Sequence, residues 1–234
     1  WALYALGDAK LSVPALIEMA RDETTRVADG AQIRLATVLD GGGNWCGRTA
    51  NGEMLRVAAI QALGGFGPAA APAVPTLTDT LKNGDGLTRW YAAGVLGEIG
   101  PEAKDAVPEL IRLLRSKDEV AAAPGTSGIG GVPNKPDRLA VVAARTLGRI
   151  GPEARAAVAP LIEALTDPCE TLRAEAAEAL GEIGPDAAPA IPALIRALSE
   201  PSWPVGDQAS AALGRIGAAA APRLIDALDS QDQT

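Results

Sequence analysis

One phrase, built around Leu-Gly and then Gly-Pro, returns along most of the chain. Its spacing constrains the fold more than any other feature. It reads AIQALGGFGPAAAPAVPTL at 59–77, AGVLGEIGPEAKDAVPELI at 93–111, ARTLGRIGPEARAAVAPLI at 144–162 and AEALGEIGPDAAPAIPALI at 177–195. A shortened copy, SAALGRIGAAAAPRLI, occupies 210–225. The leucines of the Leu-Gly pairs are Leu63, Leu96, Leu147, Leu180 and Leu213, so three of the four intervals are 33 residues and the fourth is 51. An earlier copy begins at Leu6, with VPALIEM following four residues too soon. A period of this length marks a unit that cannot bury its own apolar face and must stack on neighbours.

Each unit carries two helical patterns. In the first, apolar residues fall at i, i+4 and i+7: Ala92, Leu96, Ile99; Ala143, Leu147, Ile150; Ala176, Leu180, Ile183. This is one stripe of a 3.6-residue helix. The second carries Leu-Ile-x-x-Leu, as in Leu110, Ile111, Leu114 and Leu194, Ile195, Leu198. Gly100-Pro101, Gly151-Pro152 and Gly184-Pro185 separate the two. Glycine there predicts a left-handed cap, and proline cannot continue the first helix. Pro108 and Pro192 suit the first turn of the second helix, where a missing N–H costs little. First helices are expected at about 55–66, 88–99, 139–150, 172–183 and 206–216. Second helices are expected at about 73–82, 106–116, 157–166, 190–199 and 220–229. Alanine makes up about a fifth of the chain and aromatics only 3%. A core of small side chains suits closely packed helices better than a barrel or sandwich.

These residues resemble HEAT repeats, in particular the short bacterial subtype also found in phycobilin lyase subunits. The resemblance implies an all-α fold, a right-handed α-solenoid of five to six stacked hairpins with period 33. It also implies that Arg56, Arg89 and Arg173, each seven residues before a repeat leucine, tie neighbouring units together. Residues 1–54 then form degenerate N-terminal repeats with a glycine-rich insertion. Residues 55–234 form the regular repeats, with an inserted loop at about 119–137, all in one continuous solenoid. The opening residues WALYALG read as the inside of a helix, so the chain is expected to be a fragment or accessory arm of a larger bacterial protein.

Two stretches break the pattern. Residues 26–39 read as a first helix, but its partner is replaced at 41–53 by GGGNWCGRTANGE, which holds Trp45 and Cys46. Residues 121–137, AAAPGTSGIGGVPNKPD, lack apolar periodicity and read as a long loop with Lys135 and Arg138 as the only cations nearby. GTSGIGG is not a phosphate loop, because its spacing is not GxxxxGK[ST] and no strand precedes it. Trp203 lies between Pro201 and Pro204 in the turn before the last unit. It either staples the next helix or stands exposed as an interface anchor. Trp90 and Tyr91 fall within a first helix and are expected to pack in the core or between helices. Trp45, Trp203, Lys135 and Arg138 are the candidate partner contacts.

Composition narrows the chemistry. The sequence contains no histidine, which removes Ser-His-Asp, Cys-His and HExxH arrangements from these residues. HEAT-like iron hydroxylases, whose metal is held by His-Glu pairs, are excluded for the same reason. The two cysteines, Cys46 and Cys169, are far apart and do not fix a compartment. No run of 18 apolar residues is present. A net charge of −8 without Lys/Arg runs argues against the basic face of HEAT-like nucleic-acid-binding proteins. The expected function is protein–protein interaction or scaffolding, with no catalytic residue, metal or cofactor. The expected partner is another protein or another domain of the same polypeptide. The alternative implied by the resemblance is a phycobilin-lyase-like chromophore attachment subunit.

Charge shows a further regularity. At one position of the second helices stand Asp79, Arg112, Glu163, Arg196 and Asp226. After Leu-Gly in the first helices stand Glu98, Arg149, Glu182 and Arg215. The sign alternates at every step. Equivalent positions line up along a solenoid at roughly 8–10 Å, which predicts two ladders of inter-repeat ion pairs.

Overall fold

The computed structural model describes residues 9–21, 52–120, 137–200, 202–223 and 225. The expected helix at 26–39, the glycine-rich stretch with Trp45 and Cys46, the loop with Lys135, and Asp226 lie outside them. The described residues form helices, apart from short turns and one pair of two-residue strands, Glu119–Val120 and Asp137–Arg138. The chain divides into two compact units. One comprises residues 1–99 and 118–137, the other 100–117 and 138–234. The expected border at 54/55 falls inside a helix of the first unit.

In the first unit the helices are α1 (Ala9–Arg21), α2 (Gly52–Gly64), α3 (Val74–Asn83) and α4 (Gly86–Ile99). The residues VPALIEM, read as an early second helix, lie within α1. Helix α1 packs on α2, α2 on α4, and α3 on α4. Ile60, Leu63, Leu77, Leu81, Leu96 and Ile99 are fully buried, and all but Ile60 are the periodic positions of the sequence.

In the second unit the first helices are α6 (Leu139–Ile150), α8 (Glu170–Ile183) and α10 (Trp203–Ile216). The second helices are α5 (Val107–Leu114), α7 (Val158–Ala164) and α9 (Ile191–Leu198). Helices α6, α8 and α10 pack side by side, while α5 lies on α6, α7 on α8 and α9 on α10. Each second helix thus covers the first helix of the following repeat, so no hairpin is complete alone. The Leu-Gly glycines permit this closeness. A Cβ on Gly148 would stand 3.0 Å from the Cα of Ala179, and one on Gly181 would stand 2.8 Å from the Cα of Ala212.

Two local expectations need correction. Gly151 and Gly184 do have positive φ (71° and 76°), but their ψ values are −138° and −139°, outside the left-handed helical region. This backbone is open essentially to glycine alone. The Gly-Pro segments are also not simple breaks. Each opens a seven-residue 3-10 helix, at 67–73, 100–106, 151–157 and 184–190. Positions i and i+3 eclipse in such a helix, and the shared pattern GPxAxxA places alanines there. Ala103 and Ala106, Ala154 and Ala157, and Ala187 and Ala190 are all fully buried.

Candidate interaction surface

The arginines at the starts of first helices are used within the fold. Arg173 donates to the carbonyls of Asp167 at 2.9 Å and Pro168 at 3.2 Å, in the turn before α8. Its Nε also donates to Glu200 at 2.9 Å, in the turn after α9. One guanidinium therefore joins two successive turns. In the first unit Arg89 does the same between the Lys82 carbonyl (3.4 Å) and Asp118 (3.3 Å).

Arg138 belongs with this group. It sits at the N-cap of α6 and donates to Asp167 at 2.5 Å, with only 22% of either side chain exposed. Asp167 also accepts the backbone N–H of Cys169 at 2.8 Å. Burial alone would raise the Asp167 carboxyl, but the hydrogen bonds from Arg138 and Cys169 outweigh it and hold the group below its ordinary range. The Asp167 hydrogen bond likewise raises Arg138, against the effect of burial. Arg138 therefore offers a partner a guanidinium that is already engaged.

The sequence reading missed the acidic members: Asp118, Asp167 and Glu200. A signal was present, since they follow Arg89, Arg138 and Arg173 by 29, 29 and 27 residues.

The charged positions of the first-helix layer meet in the second unit, where Arg215 pairs with Glu182 at 2.8 Å. In the second-helix layer Glu163 accepts from Arg115 at 3.2 Å, and Arg112 pairs with Glu109. Residues 109, 112 and 115 lie three apart on one helix face, so Glu109 sits beside Arg112 and Arg115 is left to reach the next repeat. Asp79 accepts from Asn83 on its own helix at 2.9 Å. Arg196 has no ion pair among the described residues. Glu98 and Arg149 belong to different units.

A groove of about 570 Å³ opens between α6 and α8. Arg145 and Arg149 line it from α6, and Glu175, Glu178 and Glu182 line it from α8. Neither Arg112 nor Arg196 lines it. Arg145 is held by Glu175 through Nε at 3.1 Å and Nη2 at 2.5 Å.

The aromatic residues divide. Tyr91 is buried in α4, and burial pushes its hydroxyl up to about 12. Trp90, the preceding residue of the same helix, is half-buried and meets it edge-to-face with ring centres 5.1 Å apart. Trp203, the first residue of α10, is 78% exposed, so it does not staple that helix. Leu198 at the end of α9 is also exposed. Among the described residues no group of three metal-ligating side chains exists, and no helix is long and apolar enough to cross a membrane.

The family profile described as HEAT repeats matches residues 49–124, 134–191 and 158–234. No curated protein sequence matches the chain. Among solved structures, an engineered protein superposes with a TM-score of 0.55 at 22% identity, over 91% of this chain and 92% of its own. A designed armadillo repeat protein in complex with the peptide (KR)4 gives 0.56 at 17% identity, over 89% and 92%. The complex of CpcE and CpcF of phycocyanin lyase from Nostoc sp. gives 0.52 at 25% identity, over 92% of this chain and 67% of that one. The likenesses below 25% identity carry the fold alone. The profile match spans most of the chain, and the periodic leucines, alanines and glycines it covers are the residues seen packing one hairpin on the next. The chain belongs to the HEAT-repeat family.

Proposed function

We propose that this chain is a protein-interaction or scaffolding module, and that the end of the second unit around Trp203 is a contact surface. The observation that carries this reading is the exposure of Trp203. Apart from Leu198, the described repeat leucines named above lie in the core, and Arg89, Arg138 and Arg173 are engaged in ties between turns. Among the described residues, the largest apolar side chain left outside is a tryptophan with 78% of its surface in solvent. Exposed aromatics are enriched among residues that dominate binding energy. Armadillo-type neighbours, one of them described with a bound peptide, support the same class of function. A net charge of −8 favours a partner other than a polyanion.

The experiment replaces Trp203 with a photo-crosslinking aromatic amino acid and, separately, with alanine. A discrete crosslinked partner from source-cell extract, whose capture falls about tenfold or more with Trp203→Ala at unchanged melting temperature, supports the reading. Equal capture by Trp203→Ala removes Trp203 from the interface. A second reading, a subunit assisting chromophore attachment, draws support from the likeness to the CpcE–CpcF structure. Visible absorbance retained by the chain after incubation with free bilin and gel filtration would favour it.

A further inference from the structure

We propose that the groove between α6 and α8 receives a lysine or arginine side chain from an extended segment of a partner protein, with Glu178 as its counter-ion. The inference rests on the interaction reading above, but it concerns a different surface from Trp203.

The balance of charge in the groove points to a cation. Two arginines and three glutamates line it, and the arginines are already committed. Arg145 is held in a two-armed contact by Glu175, and Arg149 is not a free cation. Among the carboxylates, Glu175 is neutralised by Arg145 and Glu182 by Arg215. Glu178 is half-buried on the same stripe of α8, and it has no ion pair or hydrogen bond among the described residues. The last turn of α6 also borders the groove, and the C-terminal end of a helix carries partial negative charge. Both sources of field favour a positive guest.

The lining specifies the shape of that guest. Pro101 and Pro152, both exposed, supply apolar lining, whereas Ile150 and Ala179 border the groove with almost no exposed surface. A bare metal ion or an ammonium ion would gain nothing from these surfaces. A lysine or arginine side chain matches both features, because its methylene stem lies along apolar surface while its head reaches a carboxylate. Arginine should be favoured over lysine, since a planar guanidinium meets a carboxylate through two parallel hydrogen bonds. The open groove suits a side chain presented by a peptide segment that runs across it. The corresponding place on the next helix pair lacks this arrangement, since Gln208 and Ala211 stand in α10 where Glu175 and Glu178 stand in α8. The site is thus local to one step of the repeat rather than a general property of the acidic chain.

The test uses the full chain and fluorescein-labelled octa-arginine, octa-lysine and octa-norleucine peptides, with binding followed by anisotropy at low salt. Expected is saturable binding in the order arginine, lysine, norleucine. Glu178→Gln should weaken octa-arginine binding by about fivefold or more, with an unchanged melting temperature because the side chain has no partner to lose. Glu170→Gln, an exposed carboxylate of the same helix outside the groove, should leave it within about twofold. Equal losses for Glu178→Gln and Glu170→Gln would show attraction to overall charge only and would overturn the proposal, as would no binding at all. Competition by free spermine as effective as by octa-arginine would overturn it too, assigning the groove to polyamines. Trp203→Ala is expected to leave octa-arginine binding intact, so failure at one surface does not imply failure at the other.

Discussion

At the scale of single residues, the turns between repeats are held by arginine–acid pairs that also close on backbone carbonyls. Arg173 shows the arrangement most fully, with two carbonyls on one side and Glu200 on the other. Lysine could not reproduce it, because a point charge has no planar fork. The Arg138–Asp167 pair adds a pH dependence. The folded carboxyl lies below its unfolded value, near 3.9. The stability it contributes is therefore fully present above about pH 4 and is lost as pH falls through the depressed folded value. Urea midpoints measured from pH 7 down to pH 2 should fall on the acid side. Asp167→Asn should be less stable at pH 7 and show a shallower acid limb. A variant with the wild-type acid limb would show that the pair does not couple to folding.

At the scale of elements, the distance between neighbouring first helices is set by a glycine on one and an alanine on the next. A Cβ at Gly181 would meet backbone at 2.8 Å, whereas one at Gly214, the equivalent position of α10, would meet nothing within 4 Å among the described residues. The same substitution should therefore have opposite effects. Gly181→Ala should destabilise by about 1–3 kcal/mol, because two helices must move apart. Gly214→Ala should stabilise by about 0.5–1 kcal/mol, because glycine is costly inside a helix. Thermal unfolding of the two variants decides this, and equal shifts would mean that helix propensity alone governs both sites. The 3-10 helices follow the same economy of space. With Ala187 and Ala190 buried at i and i+3, the connection between helices is itself part of the core.

At the scale of the whole molecule, the interval of 51 residues between Leu96 and Leu147 places extra chain between two repeats. Its ends, Glu119–Val120 and Asp137–Arg138, pair as short strands. Because paired ends leave little closure entropy to recover, replacing residues 121–136 with a short hairpin turn should change the melting temperature by no more than a few degrees. A large fall would show that this segment packs against the repeats. Retained circular dichroism with lost partner capture would assign binding to it.

Sequence alone determined the repeat unit, its period, the placement of paired helices and most of the buried stripes. The reason is that these follow from local periodicity: Leu96, Leu147 and Leu180 mark helix faces wherever the helices go. It also predicted glycine at each hairpin corner, though not the unusual ψ there, nor that Gly-Pro opens a 3-10 helix. Those depend on how closely the following alanines can pack. Charge alternation was legible as a pattern of signs, but the partners in the second-helix layer were not. Arg215 meets Glu182, while Glu163 meets Arg115, because reach and helix phase choose the partner and neither is visible in a one-letter code. Only tertiary structure could show that Arg138 is tied to Asp167, that Trp203 stands in solvent, and that Glu178, in a groove, has no partner among the described residues. Each of these is a statement about what lies beside a residue thirty positions away, or about nothing lying there at all.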